Sequence, residues 1–283
     1  MSILILGATG TVGHTLTQML ASAGHDPVAA TRDPSKVAID GARAVKFDAQ
    51  DPSTFDAALE GIDKLFILSP PGYEDSFSLL EPFLTEALGR EAIERVVTMT
   101  AQGVEFSDEI PLRKIELFVE GSGKKFVHIR PNWFSQNFHT YWGEGIREHN
   151  VLALPAEEAR VAFIDTRDIA ASAVGALVRD DIEFDRAYAL TGPDALTHAE
   201  AAAILSESVG RTITYQNITE DAFREQLLAA GSPSHYVEML VMLFASVRMG
   251  ASSQVADGVA SLTGEPPRPL SVYASDFAAA LSN

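Results

Sequence analysis

The chain has 283 residues, 21 basic and 39 acidic side chains for a net charge of −18, and no cysteine. That length can bury one sizeable core or a large core with a smaller one beside it. The composition excludes disulfides and thiolate metal sites, and so acidic an average field repels nucleic-acid duplexes and anionic membrane surfaces.

Ile3-Leu4-Ile5-Leu6 is an unbroken apolar run that predicts a strand buried on both faces. Gly7-Ala8-Thr9-Gly10-Thr11-Val12-Gly13 follows, and then Thr15 to Ala23 with Leu16, Met19 and Leu20 at helical spacing, closed by Gly24. Strand, glycine turn and helix in that order form the context of a nucleotide-phosphate site. Gly7 permits the tight turn, the missing Cβ of Gly10 lets a pyrophosphate approach, and Gly13 lets the helix pack closely on the sheet. The N–H groups and positive dipole end of the helix then face the phosphate. The spacing is G-x-x-G-x-x-G rather than the commoner G-x-G-x-x-G, and the competing reading is a tight turn with no ligand. Gly7, Thr9, Gly10, Thr11, Val12 and Gly13 are the first cofactor candidates. Met1 leads straight into the first strand, with no room for a signal or transit peptide, so the expected location is cytoplasmic. No apolar run approaches membrane-spanning length. The seven histidines lack zinc spacing, so no metal site is expected.

Asp26 to Thr31 reads as a second strand, ending at Thr31-Arg32-Asp33-Pro34-Ser35-Lys36. The residue just past this strand faces the adenosine ribose in a Rossmann unit, where an arginine accommodates the 2′-phosphate of NADP. Arg32, helped by Lys36, therefore points to NADP(H) over NAD(H), while Asp33 opposes a phosphate. Ala44 to Phe47 is a third strand. Asp48 after it either fixes adenine or caps the helix expected over Ser53 to Leu59. Asp63 to Leu68 is a fourth strand and runs into Ser69-Pro70-Pro71-Gly72-Tyr73, a stiff loop at the carboxyl edge where open α/β sheets bind ligands. Ser69 and Pro70 join the cofactor candidates, and Tyr73 can reach towards a ligand.

Glu74 to Leu88 reads as a helix, Glu94 to Thr98 as a strand ending in Thr98-Met99-Thr100, Pro111 to Glu120 as a helix, and Lys125 to Ile129 as a sixth strand. This alternation predicts an α/β fold with a doubly wound parallel sheet, a Rossmann domain. Residues 130–142 are dense in aromatics and amides and contain both tryptophans. Asn132, Trp133, Phe134, His139 and Tyr141 are candidates for holding a planar ligand, or they belong to an aromatic cluster packing a small domain. Val161 to Ile164 is expected as a further strand and Ile169 to Val178 as a helix. Arg167 and Asp168 read as a structural pair or helix cap. Thr197-His198-Ala199-Glu200 reads as a capping box before a helix through Val209. Ile213 to Gln216 reads as a strand, and Thr219 to Ala229, His235 to Val247 and Val272 to Leu281 as helices. The Met239, Leu240, Met242, Leu243 and Phe244 face is read as core, as the contact of a homodimer, or as a roof over the substrate. The expected domains are a Rossmann domain over 1–150, with 161–180 returning to it, and a smaller, mostly helical, substrate-side domain over 181–283.

The GATGTVG turn, Thr31-Arg32-Asp33-Pro34, Glu116 and Ser122-Gly123 ahead of Ile129-Arg130-Pro131-Asn132-Trp133-Phe134, and Asp165-Thr166-Arg167-Asp168-Ile169-Ala170 together resemble the NmrA-like branch of atypical short-chain dehydrogenase/reductases. The resemblance is good over roughly the first 180 residues and architectural beyond them. It implies an NAD(P)-binding Rossmann domain, a small C-terminal domain, and one of two functions. Some members reduce quinones, dyes, azo compounds, imines or phenylpropanoids; others are redox sensors that bind the dinucleotide without chemistry. The chain departs from the wider superfamily at its Tyr-x-x-x-Lys pair, which falls on Leu112 and Glu116. Thr100 falls on the superfamily's serine and also joins the cofactor candidates, and Lys114 points to a different side of its helix. Candidates for positioning or proton transfer are Tyr73, Thr100, Asn132, His139 and Tyr141, with Thr100, Tyr73 and Tyr141 as the catalytic set. The expected cofactor is NADP(H), and the expected partner a small aromatic or quinone-like acceptor.

Overall fold

In chain order, the computed structural model has β1 (Ser2–Ile5), α1 (Thr11–Ser22), β2 (Asp26–Thr31), β3 (Arg43–Lys46), α2 (Phe55–Ala58), β4 (Lys64–Leu68), α3 (Ser76–Gly89), β5 (Arg95–Met99), α4 (Pro111–Glu120) and β6 (Lys125–Pro131). It continues through α5 (Gly143–His149), β7 (Val151–Leu154), β8 (Arg160–Val161), α6 (Thr166–Val178), β9 (Arg186–Leu190), β10 (Leu196–Thr197) and α7 (His198–Val209). The last elements are β11 (Thr214–Asn217), α8 (Glu220–Ala229), α9 (Ser234–Arg248), α10 (Gly258–Thr263), α11 (Leu270–Asp276) and α12 (Ala278–Ser282). The structure describes residues 2–70 and 72–282. Pro71, one of the two prolines of the expected stiff loop, lies outside the described residues.

The chain divides into two compact units. The first holds residues up to Pro131, Thr166–Leu190 and Gly258–Glu265; the second holds Asn132–Asp165, Thr191–Asp257 and Pro266 onwards. The expected boundary at 150 thus moves back to 131, and α10 returns to the first unit. The reason is local: once β6 ends, Phe138 and Ile146 are fully buried in the second unit's own core, with Trp133 and Trp142 packed against it.

The first unit is a seven-stranded sheet of order β3-β2-β1-β4-β5-β6-β9, and every neighbouring pair is parallel. The chain winds outward from β1 to β3 and then restarts on the other side at β4, which makes the carboxyl ends of β1 and β4 the topological switch point. One face of the sheet carries the core of Leu4, Leu6, Val28, Leu65, Ile67 and Val96 under α3 and α4, closed by Phe47, Phe55 and Phe83. On the other face α6 packs against α1 and α10. At the opposite, amino-terminal edge, Lys64 Nζ donates to the Leu177 carbonyl at 2.6 Å and Arg95 Nη1 to those of Leu177 and Arg179 at 2.9 and 2.8 Å. These two buried cations satisfy carbonyls that the end of α6 leaves free.

The seventh strand is not where the sequence pattern put it. Val161 to Ile164 was the expected strand, but only Arg160–Val161 forms one, antiparallel to β10 in the second unit. Arg186–Leu190 takes the sheet edge instead, parallel to β6. An apolar run advertises burial without naming the sheet that buries it, and β9 shows only half-buried alternation. The expected helix over 272–281 is two, α11 and α12.

The second unit is built around an aromatic core of Phe138, Phe163, Phe244 and Tyr273. Two small sheets, β8 with β10 and β7 with β11, accompany its helices. The capping box at Thr197 and Glu200 is present as expected. In α9 the buried stripe is Val237, Val241, Phe244 and Val247. Met239, Met242 and Leu243 lie on the outside, 41%, 65% and 43% exposed, which corrects the reading of that whole face as core.

Candidate functional site

Five adjacent strands deliver the cofactor candidates to one edge. Gly7 to Gly13 follow β1, Arg32 and Lys36 follow β2, Asp48 follows β3, Ser69 and Pro70 follow β4, and Thr100 follows β5. Because the strands are parallel and in register, all of these residues lie at the carboxyl edge around the switch point.

The glycine turn shows why its glycines are needed. Gly7 has φ +70°, a left-handed conformation that a side chain resists. A Cβ on Gly13 would stand 2.2 Å from the Gly7 carbonyl oxygen and 2.7 Å from its carbon. The start of α1 therefore sits directly on the turn. Gly10 is the N-cap, and no side chain caps the helix. Thr9, Gly10 and Thr11 are exposed. An uncapped N-terminus of a twelve-residue helix leaves its first N–H groups without a side-chain partner, the arrangement that accepts a phosphate.

Past β2, Arg32 is exposed and makes no hydrogen bond or ion pair with any described residue. Asp33, which would oppose a phosphate, is occupied: its Oδ1 accepts from Ser35 N at 3.2 Å and Ser35 Oγ at 2.6 Å. The Ser35 hydroxyl holds the Asp33 carboxyl below its ordinary range. Lys36 Nζ lies 3.8 Å from Asp33 Oδ2. Asp48 behaves as a turn residue, its Oδ1 accepting from Gln50 N at 3.0 Å. Ser69 is half-buried, with its hydroxyl 3.4 Å from the Pro70 carbonyl, and Tyr73 is 43% exposed.

Thr100 sits in a buried charge network. Its Oγ1 donates to Glu116 Oε1 at 2.6 Å. Glu116, fully buried on α4, also accepts from Arg130 Nε at 3.0 Å, Arg130 Nη2 at 2.7 Å and Arg113 Nη1 at 2.8 Å. Burial alone would raise its pKa, but the hydrogen bonds from Arg130, Thr100 and Arg113 outweigh it and hold the carboxyl below its ordinary range. The Thr100 proton is thus committed to a carboxylate, which corrects the expectation of Thr100 as a proton donor. Leu112 packs against the apolar core, and Lys114 points outward to Glu109 Oε2 at 2.8 Å. Sequence reasoning placed Glu116 but missed its two arginines. The i, i+3 spacing of Arg113 and Glu116 was the available signal; the pairing with Arg130 exists only once β6 lies beside β5.

In the second unit, most of the expected substrate residues are engaged internally. Asn132 is buried; its amide nitrogen donates to the Ser252 carbonyl at 2.8 Å and its oxygen accepts from Trp133 N at 2.8 Å. His139 Nδ1 lies 2.8 Å from the Tyr273 hydroxyl, and the ring stacks on Phe277 at 4.9 Å. Burial, helped by Arg147, pushes its pKa down. Trp133 stacks on Trp142 at 5.9 Å and leans on Phe244 at 4.9 Å. Phe134 is half-buried and bridges by its backbone to Ile164. For Asn132 and His139 this is the packing role that competed with ligand binding in the sequence. Tyr141 is the exception, 73% exposed. Nothing in the sequence pattern signalled His198, buried with Nδ1 unpartnered between Phe163, 5.4 Å away edge-on, and Tyr215, stacked at 5.7 Å.

The NAD(P)H-binding family profile matches residues 7–180, and that of the NmrA-like family matches residues 112–260. The chain belongs to the NmrA-like family of NAD(P)H-binding proteins. It is 33% identical over 285 residues to an NAD(P)H azoreductase of Xenophilus azovorans, covering 98% of each chain. It is also 33% identical over 278 residues to an uncharacterized oxidoreductase of Bacillus subtilis, covering 98% of this chain and 95% of the relative. The NADPH-dependent quinone oxidoreductase of Escherichia coli, solved with NADPH, superposes with a TM-score of 0.83 at 24% identity over 98% of this chain and 99% of its own, a likeness of fold. The Rossmann fold and the family expected from the glycine turn and the Asp165–Ala170 segment are thus confirmed.

Proposed function

We propose that this protein is an NAD(P)H-dependent reductase that delivers hydride to a small planar acceptor such as a quinone, an azo compound or an imine, with NADP(H) preferred over NAD(H). The observation that carries the reading is the open, uncapped start of α1 seated on the Gly7 carbonyl at the switch point. That turn is shaped for a pyrophosphate, and the N–H groups of Thr11, Val12 and Gly13, with the hydroxyls of Thr9 and Thr11, hold it. Arg32 has no partner among the described residues and the Asp33 carboxylate is tied back to Ser35, so the edge past β2 leaves Arg32 for a 2′-phosphate, with Lys36 adding positive charge. Asp48 borders the adenine, and Ser69 and Pro70 border the sugar. The full-length likeness to an NAD(P)H azoreductase supports the acceptor class.

When bound, the reduced nicotinamide cofactor supplies a hydride. The chain's own contribution is binding and orientation. With leucine at 112 and the Thr100 proton held by Glu116, the edge of β5 offers no acid. Acceptors that take their proton from water after reduction suit such a site, and the exposed hydroxyl of Tyr73 in the first unit is a further donor. The same lack of an acid favours a second reading, a dinucleotide sensor without chemistry.

The test has two stages. NADPH and NADH are titrated into the purified protein, and NADPH loss is then followed with a panel of quinones, azo dyes and imines. Tighter binding of NADPH and acceleration by one acceptor class are expected. Binding with no acceleration by any acceptor would overturn the reductase in favour of the sensor, and binding of neither nucleotide would overturn both.

A further inference from the structure

The polarity of Thr100 is set by its neighbours. Its hydroxyl proton points at Glu116 Oε1, 2.6 Å away. No described residue donates to its oxygen, and Thr100 keeps 6% of its surface open. Two residues further on, Gln102 Oε1 is buried without a donor, while its backbone N–H is tied to the Pro131 carbonyl at 3.1 Å. The edge past β5 therefore presents acceptors in need of a donor. Glu116 is itself locked: Arg130 grips both of its oxygens, Arg113 grips one, and all three charges lie largely inside the unit. A carboxylate so held cannot turn away from Thr100 or take up a proton near neutral pH.

Position says what the donor belongs to. Neighbouring strands lie about 4.8 Å apart, and Thr100 follows β5, two strands beyond the glycine turn on the side away from Arg32. A dinucleotide with its pyrophosphate on that turn and its adenosine towards β2 lays its other nucleoside over β4 and β5.

Resting on the dinucleotide site proposed above, we propose that Glu116 is a positioning residue. It fixes Thr100 as an acceptor for an N–H or O–H donor, carboxamide or ribose hydroxyl, on the nicotinamide half of the cofactor. An acid at position 100 is thereby excluded by construction. The Leu112/Glu116 departure becomes a change of role, in which the helix position that carries a lysine in the wider superfamily holds a hydrogen-bond director.

The experiment is a set of titrations without acceptor, using NADPH and 2′,5′-ADP, which keeps the 2′-phosphate and adenosine but lacks the nicotinamide half. Thr100→Val, which has nearly the same shape and no acceptor, is expected to weaken NADPH about tenfold, one hydrogen bond's worth, and to leave 2′,5′-ADP within about twofold. Thr100→Ser keeps the hydroxyl and is expected to retain wild-type affinity. Glu116→Gln lets an amide N–H point at Thr100 and frees the threonine proton, so it is expected to weaken NADPH selectively, and to add nothing once Thr100 is valine. Unchanged NADPH affinity in Thr100→Val overturns the proposal, as does equal loss of NADPH and 2′,5′-ADP. Additive losses in the Thr100→Val/Glu116→Gln double variant overturn the role of Glu116 even if that variant alone folds poorly. Wild-type protein that binds neither probe removes the dinucleotide site, and this inference with it. Wild-type protein that binds both, with no selective loss in the variants, overturns this inference alone.

Discussion

Replacing Gly13 by alanine tests the glycine turn where its geometry is least forgiving. The added Cβ would meet the Gly7 carbonyl oxygen at 2.2 Å, its carbon at 2.7 Å and Ala8 Cα at 3.1 Å. All three are backbone atoms, so no side chain can swing aside. Restoring ordinary contact requires α1 and the turn to separate by about 1 Å, and overpacking of this kind costs roughly 1–3 kcal/mol. Alanine's advantage over glycine inside a helix returns about 1 kcal/mol, leaving a net loss of about 0–2 kcal/mol. The larger effect falls on binding. A shift of about 1 Å takes N–H groups out of hydrogen-bonding range, and losing one or two such bonds weakens NADPH roughly ten- to hundredfold. Calorimetric titration with NADPH, beside urea unfolding, reads both effects. Gly89→Ala is the control, because a Cβ there meets nothing within 4 Å; its NADPH affinity should match the wild type. A Gly13→Ala protein that binds NADPH as tightly as wild type would refute the turn as the phosphate site.

Arg32→Ala is expected to weaken NADPH by about 1–3 kcal/mol, the range for a charge-assisted hydrogen bond, and to leave NADH nearly unchanged; equal loss for both in paired titrations would show that Arg32 does not read the 2′-phosphate. Burial pushes the His198 imidazole from its ordinary 6.5 down to about 4, so below about pH 6.5 the unfolded chain binds a proton that the folded chain refuses. Its stability contribution is complete above that pH and is lost as pH falls towards 4, by about 3 kcal/mol. His198→Phe should flatten this limb in urea midpoints at pH 7.5 and 5, and an identical acid loss in both proteins would sink the argument. His128, pushed by burial to about 4 as well, leaves part of the limb in place. Arg95→Ala removes the donor to the Arg179 carbonyl and leaves Leu177 with Lys64 alone, and is expected to cost about 2–4 kcal/mol in urea unfolding; a cost below about 0.5 kcal/mol, the least expected of one hydrogen bond, would mean that water replaces the lost donor.

Local chemistry determined a good deal of this protein in the sequence alone. The apolar run at Ile3–Leu6, the glycine turn and the helix behind it specify a strand, a phosphate-shaped turn and an N-terminus, because each depends only on residues a few positions apart. The alternation through Ile129 specified the parallel sheet, since parallel neighbours need crossover helices, and with it the carboxyl edge that carries the cofactor candidates. Tertiary structure decided whatever depends on which distant groups meet. It chose Arg186–Leu190 over Val161–Ile164 for the sheet edge, because either run could satisfy a strand and only packing selects one. It turned Asn132 and His139 inward to Ser252 and Tyr273, partners more than a hundred residues away. It also gave Thr100 its direction: Glu116, Arg113 and Arg130 are ordinary charged residues in the chain, and only the docking of α4 on β5 and β6 makes them one buried network in which a hydroxyl can point just one way.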